Sequence, residues 1–193
     1  MADYTQLQQD VADWFARDDL PVASFVSMAE SELNRLLELQ AMERMVEAEP
    51  TSKTAANLYY LDLPEDFIEL LHMETNGYAF EYVTNTQLTT IADAGSDQPY
   101  VYSIAGKQLL FPKAWPVFYY YRARIPALSV TNLTNWYTDN LYDGLLHLCL
   151  DHGTTYIGQD NPVYRQKAIN YMRDAQDRDD QARISGAPLV QRG

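Results

Sequence analysis

Val117-Phe118-Tyr119-Tyr120-Tyr121-Arg122-Ala123-Arg124-Ile125-Pro126 decides how this chain is organised. Residues 117–125 lack glycine and are dense in aromatic and β-branched side chains, which favour a pleated, half-buried strand. Pro126 cannot donate to a strand ladder and closes it. Working upstream, Leu58–Leu63 alternates and stops at Pro64, and Glu65–Glu69 leads into Leu70–Glu74. Asn76-Gly77 is the sharpest hairpin signal, because a primed turn needs positive φ at both central positions. Tyr78, Phe80 and Tyr82 follow as one face of a strand, and Thr84–Gly95 is predicted as a loop or short helix. Tyr100–Ile104, a turn at Ala105-Gly106-Lys107 and Gln108–Phe111 form a second predicted hairpin. Residues 50–125 therefore read as one β-rich block.

Helical spacing lies on both sides of that block. Tyr4, Leu7, Val11, Trp14 and Phe15 repeat at helical intervals over residues 4–17. Asp18 or Asp19 can cap the next helix, with Pro21 in its first turn. Residues 22–47 carry Phe25, Met28/Ala29, Leu33 and Leu36/Leu37 along one side and predict a single long helix ended by Pro50. Beyond Pro126, Leu141, Leu145, Leu148 and Tyr156 predict a third helix, and Asn161-Pro162 opens a fourth over 163–175. The expected fold class is α+β: two N-terminal helices (1–49), an inserted antiparallel β-domain (50–125), two C-terminal helices (126–175) and an extended arm (176–193). The arm is polar from Gln176 but carries Ile184, Leu189, Val190 and Arg192, the residues expected to order on a partner.

The 193 residues are 47% hydrophobic and 21% charged, a globular balance rather than a disordered one. One cysteine, Cys149, excludes an intramolecular disulfide framework and points to a reducing compartment. No apolar run approaches a membrane span, and no secretory core precedes Asp10. The net charge of −13 argues against a basic surface for duplex DNA. Most of that charge lies in residues 1–49, where Glu30, Glu32, Glu38, Glu43 and Glu47 punctuate the predicted helix.

Catalytic chemistry finds little purchase. There is no G-x-S-x-G, no phosphate loop and no dinucleotide fingerprint. On a helix His147 and Cys149 point about 200° apart and cannot share a metal. Asp143, His147 and Asp151 do align at i, i+4, i+8, a spacing that could hold a divalent ion but more often marks a solvated face. Glu65, Asp66 and Glu69 cluster at a strand end and are the carboxylates an enzyme would have to use. Phe118, Tyr120, Arg122 and Arg124 share one strand face and could stack single-stranded bases, which is the alternative function. No catalytic, cofactor-binding or metal-ligating residue is assigned, and no cofactor is expected. Fifteen tyrosines and three tryptophans in such a chain suit an assembly protein, because these side chains are favoured at protein interfaces.

One run is distinctive. Arg122–Ser129, followed by Asn132, Thr134, Asn135 and Trp136, resembles the signature YYARIPALSDxNxTNWLL of the head-to-tail adaptor (connector) proteins of tailed bacteriophages, of the SU10 type. Asn140–Leu146 is similar to their LYLYGALxEAxxYL, and Phe25–Leu37 to FIxLAExxLNRxLR. Leu63–Leu70 matches LPxDFLEL, and Trp14 with Arg17-Asp18-Asp19-Leu20 fits as well. The resemblance runs in order over about residues 10–175. It departs at Tyr137-Thr138 in the NWLL region and at Gln159-Asp160, where the family has two acids.

The resemblance implies a virion protein of the neck, assembled in the host cytoplasm: a homo-oligomeric ring, a dodecamer, bound to the portal protein. It would lengthen the DNA channel, pass packaged DNA without reading its sequence, and offer a docking surface to a tail or nozzle protein, with no membrane involved. In that setting Ile184, Leu189, Val190 and Arg192 are expected to contact the portal. Glu30, Glu32, Glu38, Glu43 and Glu47 are expected to line the channel or meet a neighbouring subunit. Asn132, Asn135 and Trp136 are expected to fix the corner between the β-domain and the C-terminal helices, with Gly144 at a close helix contact.

Overall fold

A computed structural model describes residues 2–17, 19–95, 100–159 and 161–185. In chain order the elements are α1 (Tyr4–Phe15), α2 (Val22–Leu36), β1 (Glu43–Ala48), β2 (Ser52–Lys53), β3 (Tyr59–Asp62) and β4 (Phe67–Thr75). There follow β5 (Tyr78–Ala79), β6 (Glu81–Tyr82), α3 (Asn85–Asp93), β7 (Val101–Ala105), β8 (Gln108–Phe111) and β9 (Val117–Ala123). The chain then forms α4 (Trp136–Asn140), α5 (Tyr142–Tyr156) and α6 (Pro162–Ser185). The fold is α+β, in two compact units: a helical one (residues 1–42 with 125–193) and a β unit (43–124).

In the helical unit α5 is central and packs against α1, α2, α4 and α6. Its buried residues, from Gly144 and Leu145 through Leu148, Cys149 and Leu150 to Gly153, surround it on every side, as a core helix requires. Helix α1 starts where Asp3 accepts the Gln6 N–H at 2.9 Å, and it buries Tyr4, Leu7 and Val11. Trp14, expected in that stripe, is instead 54% exposed and donates its indole N–H to Tyr164. Asp19 pairs with Arg17 rather than capping α2, whose N-cap is Pro21 with no side-chain bond. Asp18 lies outside the described residues.

The predicted helix over 22–47 stops at Leu36. A 3-10 turn, Gln40–Met42, follows, and then strand β1. Leu37 and Leu39 are buried at the i, i+2 spacing of extended chain, and Met42 is buried at the end of the 3-10 turn. The second correction is at the other end. Helix α6 continues ten residues past the expected limit of 175, so the predicted extended arm is helical to Ser185. Its buried row is Ala168, Met172, Ala175 and Asp179, so a carboxylate occupies the last position of an otherwise apolar stripe.

The β unit has two sheets, ordered β1-β9-β4-β5 and β2-β3-β8-β7-β6. Strand β9 is the centre of the first, antiparallel to β1 and β4. Asn76 and Gly77 adopt φ of 50° and 81°, the primed turn that joins β4 to β5. The run 78–82 is not one strand: Tyr78–Ala79 pairs with β4, whereas Glu81–Tyr82 crosses to the second sheet. There β6 runs parallel to β7, so the domain is mixed rather than wholly antiparallel. Between the sheets Met73, Tyr119 and Tyr121 pack with Leu109 and Phe111. Helix α3, started by a Thr84/Gln87 capping box, contributes Leu88 to a second cluster with Leu58, Val101 and Leu110.

Candidate functional site

Residues 125–135 of the helical unit contain the polar corner. Asn34 Oδ1 accepts the Ile125 N–H at 2.7 Å, and Asn34 Nδ2 donates to the Glu30 carbonyl. The Glu30 carboxylate, 4% exposed, accepts the Leu128 N–H at 3.0 Å and Asn135 Nδ2 at 2.7 Å. Burial pushes its pKa up, against the pull of these two donors. Asn135 is also the N-cap of α4: its Oδ1 accepts from Tyr137 N–H and Thr138 N–H, and its Nδ2 also reaches the Pro126 carbonyl. Asn132 Nδ2 donates to the Ala127 carbonyl at 2.8 Å, and Trp136 lies edge-on to Tyr137. A Cβ on Gly144 would sit 2.8 Å from Leu141 Cδ1 and 3.2 Å from Tyr171 Cβ. Tyr137 is fully buried, and its hydroxyl has no hydrogen-bond partner among the described residues.

A second cluster joins α2, α5 and α6. Glu32, 9% exposed, takes both guanidinium nitrogens of Arg165, with His152 Nε2 at 3.5 Å and Asp151 3.6 Å from Arg165. The Arg165 bond holds the Glu32 carboxyl below its usual range, although burial opposes it. A third lies where α6 meets the segment after α2. Asp179, with no exposed surface, accepts the Gln40 N–H at 2.9 Å and Arg183 Nε at 2.8 Å. Gln176 bonds both the N–H and the carbonyl of Glu38.

These contacts, with the end of α2 at Leu36, correct the single helix expected to carry the five glutamates. Glu30 and Glu32 are buried and bonded inside the helical unit. Glu38 lies beyond the end of α2, and Glu43 and Glu47 are on β1, so the five share no helix face. Ile184 lies on α6 and is 89% exposed; Leu189, Val190 and Arg192 lie outside the described residues. Sequence reasoning missed Asp179, because a carboxylate among Asp174, Asp177 and Asp180 reads as solvated surface. Its i+4 spacing from Ala175 was the available signal.

The carboxylates considered for catalysis have other partners. Asp66 accepts the Tyr121 hydroxyl at 3.0 Å, and Glu69 pairs with Arg122 at 2.9 Å; Glu65 is exposed. Burial, and then Asp66, pushes the Tyr121 phenol up to about 12. His147 Nδ1 lies 2.7 Å from the Asp143 carbonyl, and burial raises the Cys149 thiol far above its ordinary range. Among the described residues no group of three or more His, Cys, Asp or Glu is placed to hold a metal. A groove of about 390 Å³ lies beside α3, lined by Glu81, Val83, Gln87 and Ile91, with no cluster of titratable groups.

Polar side chains among the described residues thus tie helix to loop and strand to strand. The profile of the SU10 adaptor protein family matches residues 2–192. The chain belongs to that family of phage structural adaptors. No curated protein matches it in sequence.

Proposed function

We propose that this protein is a non-enzymatic head-to-tail adaptor of the virion neck. It forms a ring on the portal protein, extends the DNA channel and presents a docking surface to the tail or nozzle protein. The observation that carries this reading is the family match over residues 2–192. Physical chemistry supports it: a head-to-tail ring needs two different complementary faces on each subunit. A net charge of −13 favours a channel that repels the DNA backbone and lets it slide. Glu38, Glu43 and Glu47 lie outside the buried set and remain the acidic candidates for an assembly contact. Ile184 and the residues that follow are the candidates for the portal. The Asn135 corner keeps loop and helix in register within the helical unit.

The nucleic-acid reading of Tyr120 and Arg122 draws no support from the geometry. Arg122 is 9% exposed and paired with Glu69, and further glutamates share its face.

The test is co-sedimentation with tailless, DNA-filled heads that carry the portal, counting copies per head. Saturation at about a dozen copies is expected from a ring that copies its partner's symmetry. No binding by the folded protein overturns the proposal. Deleting residues 186–193 is expected to weaken head binding; unchanged affinity removes those residues from the portal contact.

A further inference from the structure

The register of β1, β9 and β4 sets nine side chains on the face of that sheet opposite the core. Tyr120 of β9 pairs with Met45 of β1 and with His72 of β4, so these three form a row across the strands. Met45 is 61% and Tyr120 40% exposed, and the His72 and Tyr120 rings are 6.3 Å apart. On one side of this row lie Glu43, Arg122 and Glu69; on the other lie Glu47, Phe118 and Glu74. Along β1 and β9 the rows are about 6.8 Å apart, two residues of extended chain, whereas on β4 a register shift between Leu70 and His72 puts Glu69 three residues from His72. The face is therefore an apolar, aromatic stripe between two acidic margins, with Arg122 already paired to Glu69 and His72 Nε2 3.3 Å from Glu74.

We propose that this face docks a basic segment of a partner protein, in which an apolar side chain is flanked two residues away on each side by Lys or Arg. This deepens, and rests on, the reading of the chain as an assembly subunit. The apolar residue would lie over Met45 and Tyr120, and the cations would reach the two glutamate margins at the same two-residue interval. Nucleic acid is the wrong occupant, because the margins repel phosphate. A second copy presenting this same face is also wrong, because it would set glutamate margin against glutamate margin. The stripe alone would not name its occupant; the carboxylates on both margins do.

The probe is an acetylated, amidated peptide of sequence KTLTKTLTK, titrated into the isotope-labelled full chain and followed by amide chemical shifts. Shifts are expected in residues 43–47, 69–74 and 118–122. Affinity should fall about tenfold or more in an E47K/E74K double variant. Met45→Glu, an exposed substitution on the apolar row, should weaken binding as well and covers the case in which the double variant does not fold. Equal binding by the folded variants, shifts elsewhere, or equal shifts from the ETLTETLTE peptide or a single-stranded oligonucleotide would overturn the proposal. Head binding is a separate readout. A chain that loads onto heads but ignores the peptide sinks only this inference. A chain that binds the peptide but not heads sinks only the adaptor reading.

Discussion

At Asn135 one side chain satisfies two helix N–H groups, a buried carboxylate and a proline carbonyl. Asn135→Ala would take this partner from the two N–H groups and the carbonyl and leave the Glu30 carboxylate with only the Leu128 N–H among the described residues, at about 2–4 kcal/mol; the denaturant midpoint measures the loss. Tyr137 is the converse case. Its buried hydroxyl has no partner among the described residues and occupies the region where the resembled family carries leucine. Tyr137→Phe is expected to stabilise the protein by about 1 kcal/mol, because a desolvated donor is removed and the ring is kept. A lower midpoint in the variant would show that the hydroxyl is bonded. Glu32 and Glu30 titrate with opposite sign. The carboxyl of Glu32 is lowered in the folded state, so its contribution is present above pH 4.5 and lost as pH falls through the folded value. That of Glu30 is raised, so stability declines as pH climbs from 4.5 to its folded value. Glu32→Gln should therefore cost about 1–2 kcal/mol at pH 7, between an exposed and a buried ion pair. The difference from the parent should shrink below pH 4.5, as thermal melts across pH will record.

Among the elements, α6 depends on its last turns. Ending the chain at Ala175 removes Gln176, Asp179 and Arg183 together and strands the backbone of Glu38 and Gln40. This truncation should lower stability by about 2–4 kcal/mol relative to a chain ending at Ser185, which keeps all three residues; urea titrations of the two truncations measure the difference. In α5, Gly144→Ala must displace Leu141 and Tyr171, and overpacking of this kind outweighs the helix propensity gained, for a net loss of about 1–2 kcal/mol. The hairpins at Asn76-Gly77 and Gly106 were legible because turn chemistry is local. Helices α1, α5 and the start of α6 were legible because their apolar spacing is helical. Residues 37–48 were not. Glutamate and methionine there are good helix formers, and strand β1 exists because it pairs with β9, whose residues lie 69 to 79 positions from their partners in sequence. The corner at Asn135 could be named from its turn-forming asparagines and the family signature. Its partner Glu30 could not, because an acid on an amphipathic helix looks solvated until the loop that covers it is placed.

On the scale of the whole molecule, the β unit holds its own core between its two sheets and has a helix over the second. Residues 43–124 expressed alone are expected to fold, with dispersed amide signals; a collapsed, undispersed spectrum would show that its core is incomplete. Of the five glutamates expected on one helix, Glu30 and Glu32 are buried in structural contacts, Glu38 follows the end of α2, and Glu43 and Glu47 lie on β1. A net charge read from composition therefore overstates what the surface can offer a partner.

The first strand of that unit, β1, lies beside its last, β9, and Glu43 faces Arg122 across the ladder. The chain therefore leaves the helices and returns to them through neighbouring strands, about 5 Å apart. Such a doorway makes the β unit an exchangeable cassette. Its loops can lengthen, or the whole unit can be swapped for another with paired ends, while the gap that Met42 and Ile125 must bridge stays the same.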